Sequence, residues 1–296
     1  MKILLLLHGF LGKLSNMAEI EETIKESKDN PFDYIWNINY YDSDYGLDVT
    51  KKYSIRTPIY DSSMKDNCLV ESLYTTLKSK MLELPNETIE LSVIAHSMGG
   101  LVIRSLIQNK CSLYEGKQRL FDNCFITNVL LLGTPNHGTL LANKWLYLPV
   151  QELIDYLKFI FNLPHSISLR ELFKNNSQMA QMETNSPFLK ELNNIETIRG
   201  VSITTVSGLN NKFRYLPFLW EPFIFWKIHL NSTFPWIHIG QISSDGVVQA
   251  KSVPLKGQNI LNISIKEANH LTMLSWKTGS AGRIVFSKVK NIIFNF

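Results

Sequence analysis

The fold is decided by seven residues, Ile94-Ala95-His96-Ser97-Met98-Gly99-Gly100, which stand between an apolar run and a helical pattern. A serine at such a junction lies on a sharp strand-to-helix turn that exposes its hydroxyl. Small residues are needed two positions before and two after it, because neighbouring backbone approaches closely there. Ala95 and Gly99 meet that need. The segment therefore predicts Ser97 as a nucleophile; the alternative is an ordinary serine at a helix N-cap.

Apolar runs of strand length alternate along the chain with segments that have apolar residues at spacings of three and four. The strand-like runs are Ile3–Leu7, Tyr34–Ile38, Ile89–Ile94, Asn128–Leu132, Ser202–Val206 and Ile260–Ile265. The helix-like segments are Asn16–Lys28, Val70–Leu82, Gly100–Asn109 and Ala281–Asn291. This alternation predicts an α/β fold with a mostly parallel sheet and helices on both faces. We expect residues 1–296 to form one domain.

Two apolar stretches interrupt the alternation. Residues 140–198 carry a helical pattern and predict a helical cap inserted over the sheet. Residues 213–239 are rich in aromatic side chains, and three prolines break regular structure there. Both stretches should emerge at the carboxyl ends of the strands and roof a pocket. The residues expected to bind substrate are Leu11, Trp145, Trp220 and Trp226; the alternative is that the aromatic ones only pack the cap onto the core.

A hydrolytic serine also needs backbone N–H groups that point at the oxyanion formed during attack. The residue after the nucleophile, Met98, supplies one such amide. The loop after the first strand, His8-Gly9-Phe10-Leu11-Gly12, suits the second, with the Phe10 amide as the expected donor. The alternative interpretation of this loop is a plain glycine-rich turn.

The acid and the base of such a site follow the nucleophile in the order Asp or Glu, then His. Among seven histidines, only His270 both follows Asp245 and stands at the end of a predicted strand. Asp245 lies in a turn before that strand, so we expect it to orient His270. The acids judged less suitable are Asp42, Asp122 and Glu267. Taken singly, Asp245 could be a turn-forming Asp-Gly residue and His270 a surface-loop histidine.

Other polar clusters have simpler interpretations. The segment Gly133–Thr139 contains His137, and a tight turn beside the pocket is sufficient to explain it. Asp42, Asp44 and Asp48 lack the downstream bidentate Glu of a known Ca²⁺ loop and predict a solvated turn. The three cysteines have no C-x-x-C spacing, so neither a disulfide framework nor a zinc site is expected. We expect no metal.

The amino-acid composition limits the kinds of partner that this chain is expected to bind. Hydrophobic residues make up 45% of the chain and charged residues 19%, which is typical of a globular protein. The net charge of +4 is dispersed in blocks no longer than a pair, which argues against nucleic acid but allows a transient contact with an anionic membrane surface. No obligate protein partner is evident. The N-terminus lacks the features of a signal peptide and no apolar run is long enough to span a membrane, so a cytoplasmic location is expected.

Four motifs together resemble the lipase and esterase branch of the α/β-hydrolase superfamily. They are Ala-His-Ser-Met-Gly-Gly at 95–100, His-Gly-Phe at 8–10, Gly-Thr-Pro-Asn-His-Gly-Thr at 133–139 and Ser-Asp-Gly-Val-Val at 244–248. The alanine before the serine is similar to small bacillus-type lipases. The Gly-Thr-Pro-x-His-Gly segment is similar to larger triacylglycerol lipases and to GPI inositol-deacylase-like hydrolases. The resemblance covers roughly residues 1–140 and 200–296 and leaves out the cap.

The resemblance implies a serine carboxylic-ester hydrolase that acts on esters with an apolar acyl or alcohol part. Ser97 would attack the carbonyl, His270 would relay its proton, and Asp245 would orient His270. The amides of Phe10 and Met98 would hold the oxyanion, and no cofactor is implied. A thioesterase or acyltransferase would use the same residues. A non-catalytic lipid- or partner-binding module with this fold is a further alternative.

Overall fold

The computed structural model describes residues 1–41, 51–56, 67–139, 142, 177–194, 200–210 and 243–295. Within the predicted cap, only residue 142 and residues 177–194 belong to these segments. The predicted aromatic stretch 213–239 lies outside them. Six residues singled out from the sequence also lie outside: Asp42, Asp44, Asp48, Trp145, Trp220 and Trp226.

Ten strands and six α-helices occur in the described segments. The strands are β1 Lys2–Leu7, β2 Tyr34–Ile38, β3 Tyr53–Ser54, β4 Asn67–Cys68, β5 Ile89–His96, β6 Ser112–Tyr114, β7 Lys117–Phe121, β8 Cys124–Leu132, β9 Ser202–Gly208 and β10 Ile260–Ile265. The helices are α1 Ala18–Lys25, α2 Leu69–Leu82, α3 Met98–Lys110, α4 Ser177–Met182, α5 Pro187–Asn194 and α6 Ser280–Phe294. Short 3₁₀ helices cover Leu14–Met17, Ala250–Ser252 and Thr272–Leu274.

The central sheet runs in the order β10-β9-β8-β5-β1-β2, and every pair along this path is parallel. Its central strands β1 and β5 are buried on both sides because helices cover both faces of the sheet. In β1, Ile3, Leu5 and Leu7 pack into one core cluster, together with residues of α2 and α3. Leu4 and Leu6 pack into the other, with residues of α1 and α6. This architecture confirms the predicted α/β fold class.

An antiparallel hairpin, β6–β7, extends the sheet beside the start of β8 and was not expected from the sequence. Its first strand is exposed at all three positions, so it has no alternation of buried and exposed residues that could identify it. The turn is made by Glu115 and Gly116, with φ of 47° and 78°. Pairing with β7 also explains why β8 begins at Cys124, four residues before the predicted start.

Polar side chains join helices α4 and α5 to the residues that follow β3. The side-chain amide of Gln181 accepts a hydrogen bond from the Ile55 N–H (2.6 Å) and donates one to the Arg56 carbonyl (2.6 Å). The Arg56 guanidinium forms an ion pair with Glu191 of α5. Arg104 of α3 donates to the Asn193 Oδ1 of α5 (2.8 Å), so α5 lies beside the helix that begins directly after the candidate nucleophile. In the described segments, no helix combines the length and apolar character needed to cross a bilayer.

Candidate active site

Ser97 stands between β5 and α3 in a backbone conformation that few non-glycine residues adopt. Its φ is 53° and its ψ is −127°. Such geometry costs free energy and persists only when the surroundings hold it in place. The Ser97 N–H donates to the Leu132 carbonyl of β8 (2.8 Å), and the Gly100 N–H donates to the Ser97 carbonyl (3.0 Å). Helix α3 therefore begins at Met98, directly after this turn and two residues before the predicted start.

Three glycines around Ser97 are required by close packing. A Cβ on Gly99 would lie 2.3 Å from the His8 carbonyl oxygen. One on Gly100 would lie 2.0 Å from the Thr134 Oγ1, and one on Gly9 would lie 2.8 Å from the Ser97 Cβ. The close backbone approach predicted for Gly99 is thus present. The contact of Gly9 also places the loop after β1 directly against the serine.

Three side chains from distant parts of the sequence form one continuous hydrogen-bonded row. The Ser97 Oγ lies 2.9 Å from the His270 Nε2, and the His270 Nδ1 lies 2.8 Å from the Asp245 Oδ2. All three are buried, with exposed fractions of 7% for Ser97, 2% for His270 and 0% for Asp245. The contact of Asp245 with His270 meets the geometric condition that the choice of Asp245 requires. The catalytic roles of the three residues remain a prediction.

Backbone groups fix the carboxylate of Asp245. Its Oδ1 accepts hydrogen bonds from the N–H groups of Val247 (2.9 Å) and Val248 (2.7 Å). Its own carbonyl accepts from the His270 N–H (2.9 Å). One carboxylate oxygen is therefore occupied by the Asp245 turn, and the other is left for the His270 ring.

Two further glycines, for which the sequence indicated no role of their own, make room for this pair. Gly133 follows β8 with a φ of 57°, and a Cβ there would lie 3.0 Å from both the Asp245 Oδ2 and the His270 Nδ1. Gly208 ends β9, and its Cβ would lie 2.9 Å from the Asp245 Cβ. The sequence feature that could have indicated both roles is a glycine at, or directly after, the end of a buried strand.

The loop after β1 is supported from behind by buried aromatic groups. The Tyr40 hydroxyl donates to the His8 carbonyl (2.6 Å), and the His8 ring stacks on Tyr40 with centroids 4.4 Å apart. Burial lowers the pKa of His8 below its ordinary value. The loop closes with the Gly12 N–H donating to the Gly9 carbonyl (3.1 Å). Phe10, the expected oxyanion donor, is buried in this loop with 8% exposure.

Met98, the other expected oxyanion donor, is the first residue of α3. The first N–H groups of a helix have no acceptor within the helix, so this amide can serve a ligand. Leu11, expected to bind substrate, is buried with a φ of 55°.

The remaining candidates have other surroundings. The His137 ring contacts the Pro254 carbonyl (3.0 Å) and the Asn193 side chain (3.4 Å), so it joins the 133–139 turn to the segment after Asp245 and to α5. Asp122 is exposed in the turn between β7 and β8, and Glu267 is exposed after β10. The described part of the chain holds no group of three or more His, Cys, Asp or Glu side chains that could bind a metal ion.

One contact at the site involves His96, the residue before the candidate nucleophile, for which the sequence indicated no role. The His96 Nε2 lies 2.9 Å from the carbonyl oxygen of His270, and the two rings are 4.5 Å apart between centroids. The position of His96 next to Ser97 was the only sequence feature that could have indicated a role at the site. Its partner lies 174 positions further along the chain.

Comparison with known proteins supports the fold. The family described as a domain of unknown function, DUF7379, matches residues 64–212. The mature lipase BlEst2 of Bacillus licheniformis is similar over 98% of this chain and 91% of its own, with a TM-score of 0.56 and 18% identity. Lipase 1 of Pelosinus fermentans is similar over 100% and 99%, with a TM-score of 0.53 and 12% identity. These similarities confirm the expected α/β-hydrolase fold.

Phospholipase PlaB of Legionella pneumophila has the same fold within a longer chain. The similarity covers 100% of this chain but 64% of PlaB, with a TM-score of 0.53 and 14% identity. The comparison with curated proteins gave no match.

Proposed function

This chain belongs to the DUF7379 family, and we propose that it is a serine hydrolase that cleaves carboxylic esters with an apolar acyl or alcohol part. The observation that carries the proposal is the row from Ser97 through His270 to Asp245, with contacts of 2.9 and 2.8 Å, on a strained strand-to-helix turn. Nucleophile and base within hydrogen-bond reach, with a third group orienting the base, are the signature of an activated serine.

The hydrogen bonds define which proton moves. Because the Asp245 Oδ2 can only accept, the His270 Nδ1 carries the proton between them. The Nε2 then presents its lone pair to the Ser97 hydroxyl. As the Ser97 Oγ bonds to the ester carbonyl carbon, its proton passes to the His270 Nε2. Asp245 stabilises the imidazolium that results.

The tetrahedral intermediate has a negatively charged oxygen, which the amides of Phe10 and Met98 would hold. Their positions support this role, since the loop of Phe10 lies against Ser97 and Met98 begins α3. When the intermediate collapses, the bond to the alcohol breaks and His270 gives its proton to the leaving oxygen. Water then repeats the sequence on the acyl-enzyme, releasing the acid and restoring Ser97.

The apolar substrate class rests on the sequence and on the kind of proteins that share the fold. Two similar structures are named lipases and a third a phospholipase. In the present chain, Leu11 is buried next to Phe10, and Trp145, Trp220 and Trp226 belong to apolar stretches expected near the site. We propose that these residues bind the apolar part of the ester and allow transient contact with a membrane surface.

The function is tested by comparing p-nitrophenyl ester hydrolysis by the wild-type protein and by Ser97→Ala. We expect the substitution to reduce turnover by about three orders of magnitude or more. Ser105→Ala is the matched control, because Ser105 is also buried and lies in α3. A Ser97→Ala protein as active as the parent would refute the proposal.

The substrate class is tested with esters of increasing acyl length. We expect activity to rise beyond acetate, and Trp220→Ala or Trp226→Ala to raise KM for the longer ester more than for acetate. A strict preference for acetate that these substitutions leave unchanged would contradict the apolar substrate class.

A further inference from the structure

His96 connects the nucleophile's strand to the loop that carries the candidate base. It is the last residue of β5, and its exposed fraction is 5%. A peptide carbonyl can only accept, so in the 2.9 Å contact the His96 Nε2–H donates to the His270 carbonyl oxygen. This contact joins Ser97 and His270 through one rigid side chain, because His96 and Ser97 are neighbours in the chain.

The main chain of His270 is thereby held on both sides. Its N–H donates to the Asp245 carbonyl (2.9 Å), and its carbonyl accepts from His96 (2.9 Å). Its ring is held at Nδ1 by the Asp245 Oδ2. The Asp245 contacts set the rotation of the ring, whereas the His96 contact sets how far the backbone of His270 lies from β5.

The ring of His96 also lies close to Gly9 in the loop after β1. A Cβ on Gly9 would lie 3.1 Å from the His96 Nδ1 and 2.8 Å from the Ser97 Cβ. The same ring is therefore packed between the loop of the expected oxyanion donor and the backbone of the expected base. A smaller or misplaced side chain at 96 would leave both neighbours free to shift.

We propose that His96 is a positioning residue that sets the distance between the Ser97 hydroxyl and the His270 ring by donating its Nε2–H to the His270 carbonyl. This inference rests on the proposed function of the same site. Misplacement of reacting groups by about 1 Å can cost a hundredfold in rate. The contact therefore acts on turnover and leaves substrate binding largely unchanged.

His96 performs this role as a neutral ring. Burial holds the pKa of His96 well below its ordinary value, and unfavourable electrostatic interaction of a protonated His96 with the nearby His270 and His8 rings lowers it further. The hydrogen bond to the His270 carbonyl opposes these effects but does not outweigh them. A neutral amide of suitable length should therefore replace the imidazole, whereas a side chain without a donor should not.

The test compares His96→Gln, which keeps a neutral N–H donor of similar reach, with His96→Met, which has similar size and no donor. A fluorophosphonate probe counts reactive sites, so that kcat is expressed per site and unfolded protein does not contribute. For His96→Met we expect kcat to fall about 10- to 100-fold with KM within about threefold. For His96→Gln we expect kcat within about threefold of the wild-type value and an unchanged acidic limb of the pH profile.

Three results would overturn the inference. The first is a kcat per site in His96→Met equal to that of the wild type. The second is a His96→Gln variant that is unfolded or as slow as His96→Met, and the third is a shift of about one pH unit in the acidic limb of the kcat–pH profile of His96→Gln. If His96→Met does not fold, His96→Asn replaces it with the same expected and opposing results, because its amide is too short to reach the carbonyl. Wild-type protein and Ser97→Ala are assayed in parallel. If the wild type neither hydrolyses esters nor reacts with the probe, it is the proposed function that fails.

Discussion

Replacing Asp245 with asparagine should hold His270 in the tautomer that cannot accept the Ser97 proton. The Asp245 Oδ1 accepts two backbone N–H groups, at 2.9 and 2.7 Å, and the Oδ2 accepts the His270 Nδ1–H. An asparagine at 245 must keep its carbonyl oxygen toward the two backbone donors. Its NH₂ group then faces the His270 Nδ1, which must become an acceptor. The proton of a neutral His270 therefore moves to Nε2, which can no longer receive the proton of Ser97.

The size of the effect follows from these contacts. Turning the amide around would leave two buried N–H groups facing an NH₂, at about 1–3 kcal/mol for each unpaired donor. The unreactive orientation is therefore favoured by about 2–6 kcal/mol. Loss of the correct tautomer in a triad of this kind lowers kcat about 10⁴-fold, equivalent to about 5.5 kcal/mol of activation free energy.

The assay is steady-state hydrolysis of p-nitrophenyl butyrate at neutral pH, with thermal unfolding as the check on folding. Asp122→Asn is the matched control, because Asp122 is exposed in the turn before β8 and should tolerate the change. We expect the control to keep the parental rate and a similar melting temperature. A folded Asp245→Asn protein with activity within about tenfold of the wild type would refute the reasoning.

Three further predictions concern stability. Gly99→Ala should lower both the melting temperature and the activity, because the new Cβ would lie 2.3 Å from the His8 carbonyl oxygen. Gly116→Asn should lower the melting temperature less, because the space around Gly116 is open and asparagine tolerates its φ of 78° better than most side chains do. Equal melting temperatures of the two variants would contradict this. Arg104→Met should reduce the free energy of unfolding, measured in urea, by about 2–5 kcal/mol. The buried guanidinium donates to the side-chain oxygens of Asn136 (2.9 Å) and Asn193 (2.8 Å), and both oxygens would lose this donor. A change under about 0.5 kcal/mol would contradict the prediction. Acidification below the unfolded-state pKa of 6.5 should destabilise the protein, because His8 and His96 have lowered pKa values when folded and the unfolded chain binds more protons. Each histidine contributes up to about 1.4 kcal/mol per pH unit to the pH dependence of the free energy of unfolding. His96→Gln should therefore reduce the slope of that dependence between about pH 6.5 and 5. An unchanged slope would contradict the contribution of His96.

The parallel sheet was predictable because its central strands are buried on both faces. The continuous apolar run 3–7 marks such a strand directly, and the structure has it as β1. The hairpin β6–β7 carries no such signal, since the residues of β6 face solvent. The start of α3 was misplaced because the helix begins immediately after the strained Ser97.

The row of Ser97, His270 and Asp245 could be proposed from sequence order because each residue is chemically distinctive. Ser97 and His270 follow predicted strands, and Asp245 lies in a turn before the last of them. The groups that support them could not. His96 acts on a carbonyl 174 positions away, and Gly133 acts by lacking a side chain beside Asp245 and His270. Such roles depend on which backbone atoms meet in space, and the residue types alone do not show it.

The central claim, that Ser97 is a nucleophile activated by His270, is tested most directly by labelling with a fluorophosphonate probe and locating the adduct by peptide mass mapping. We expect one adduct, on Ser97, in the wild-type protein. We expect none in Ser97→Ala and labelling slowed by at least about 10³-fold in His270→Ala. An unlabelled, folded wild-type protein, or an adduct on another residue, would contradict the role of Ser97 as the nucleophile.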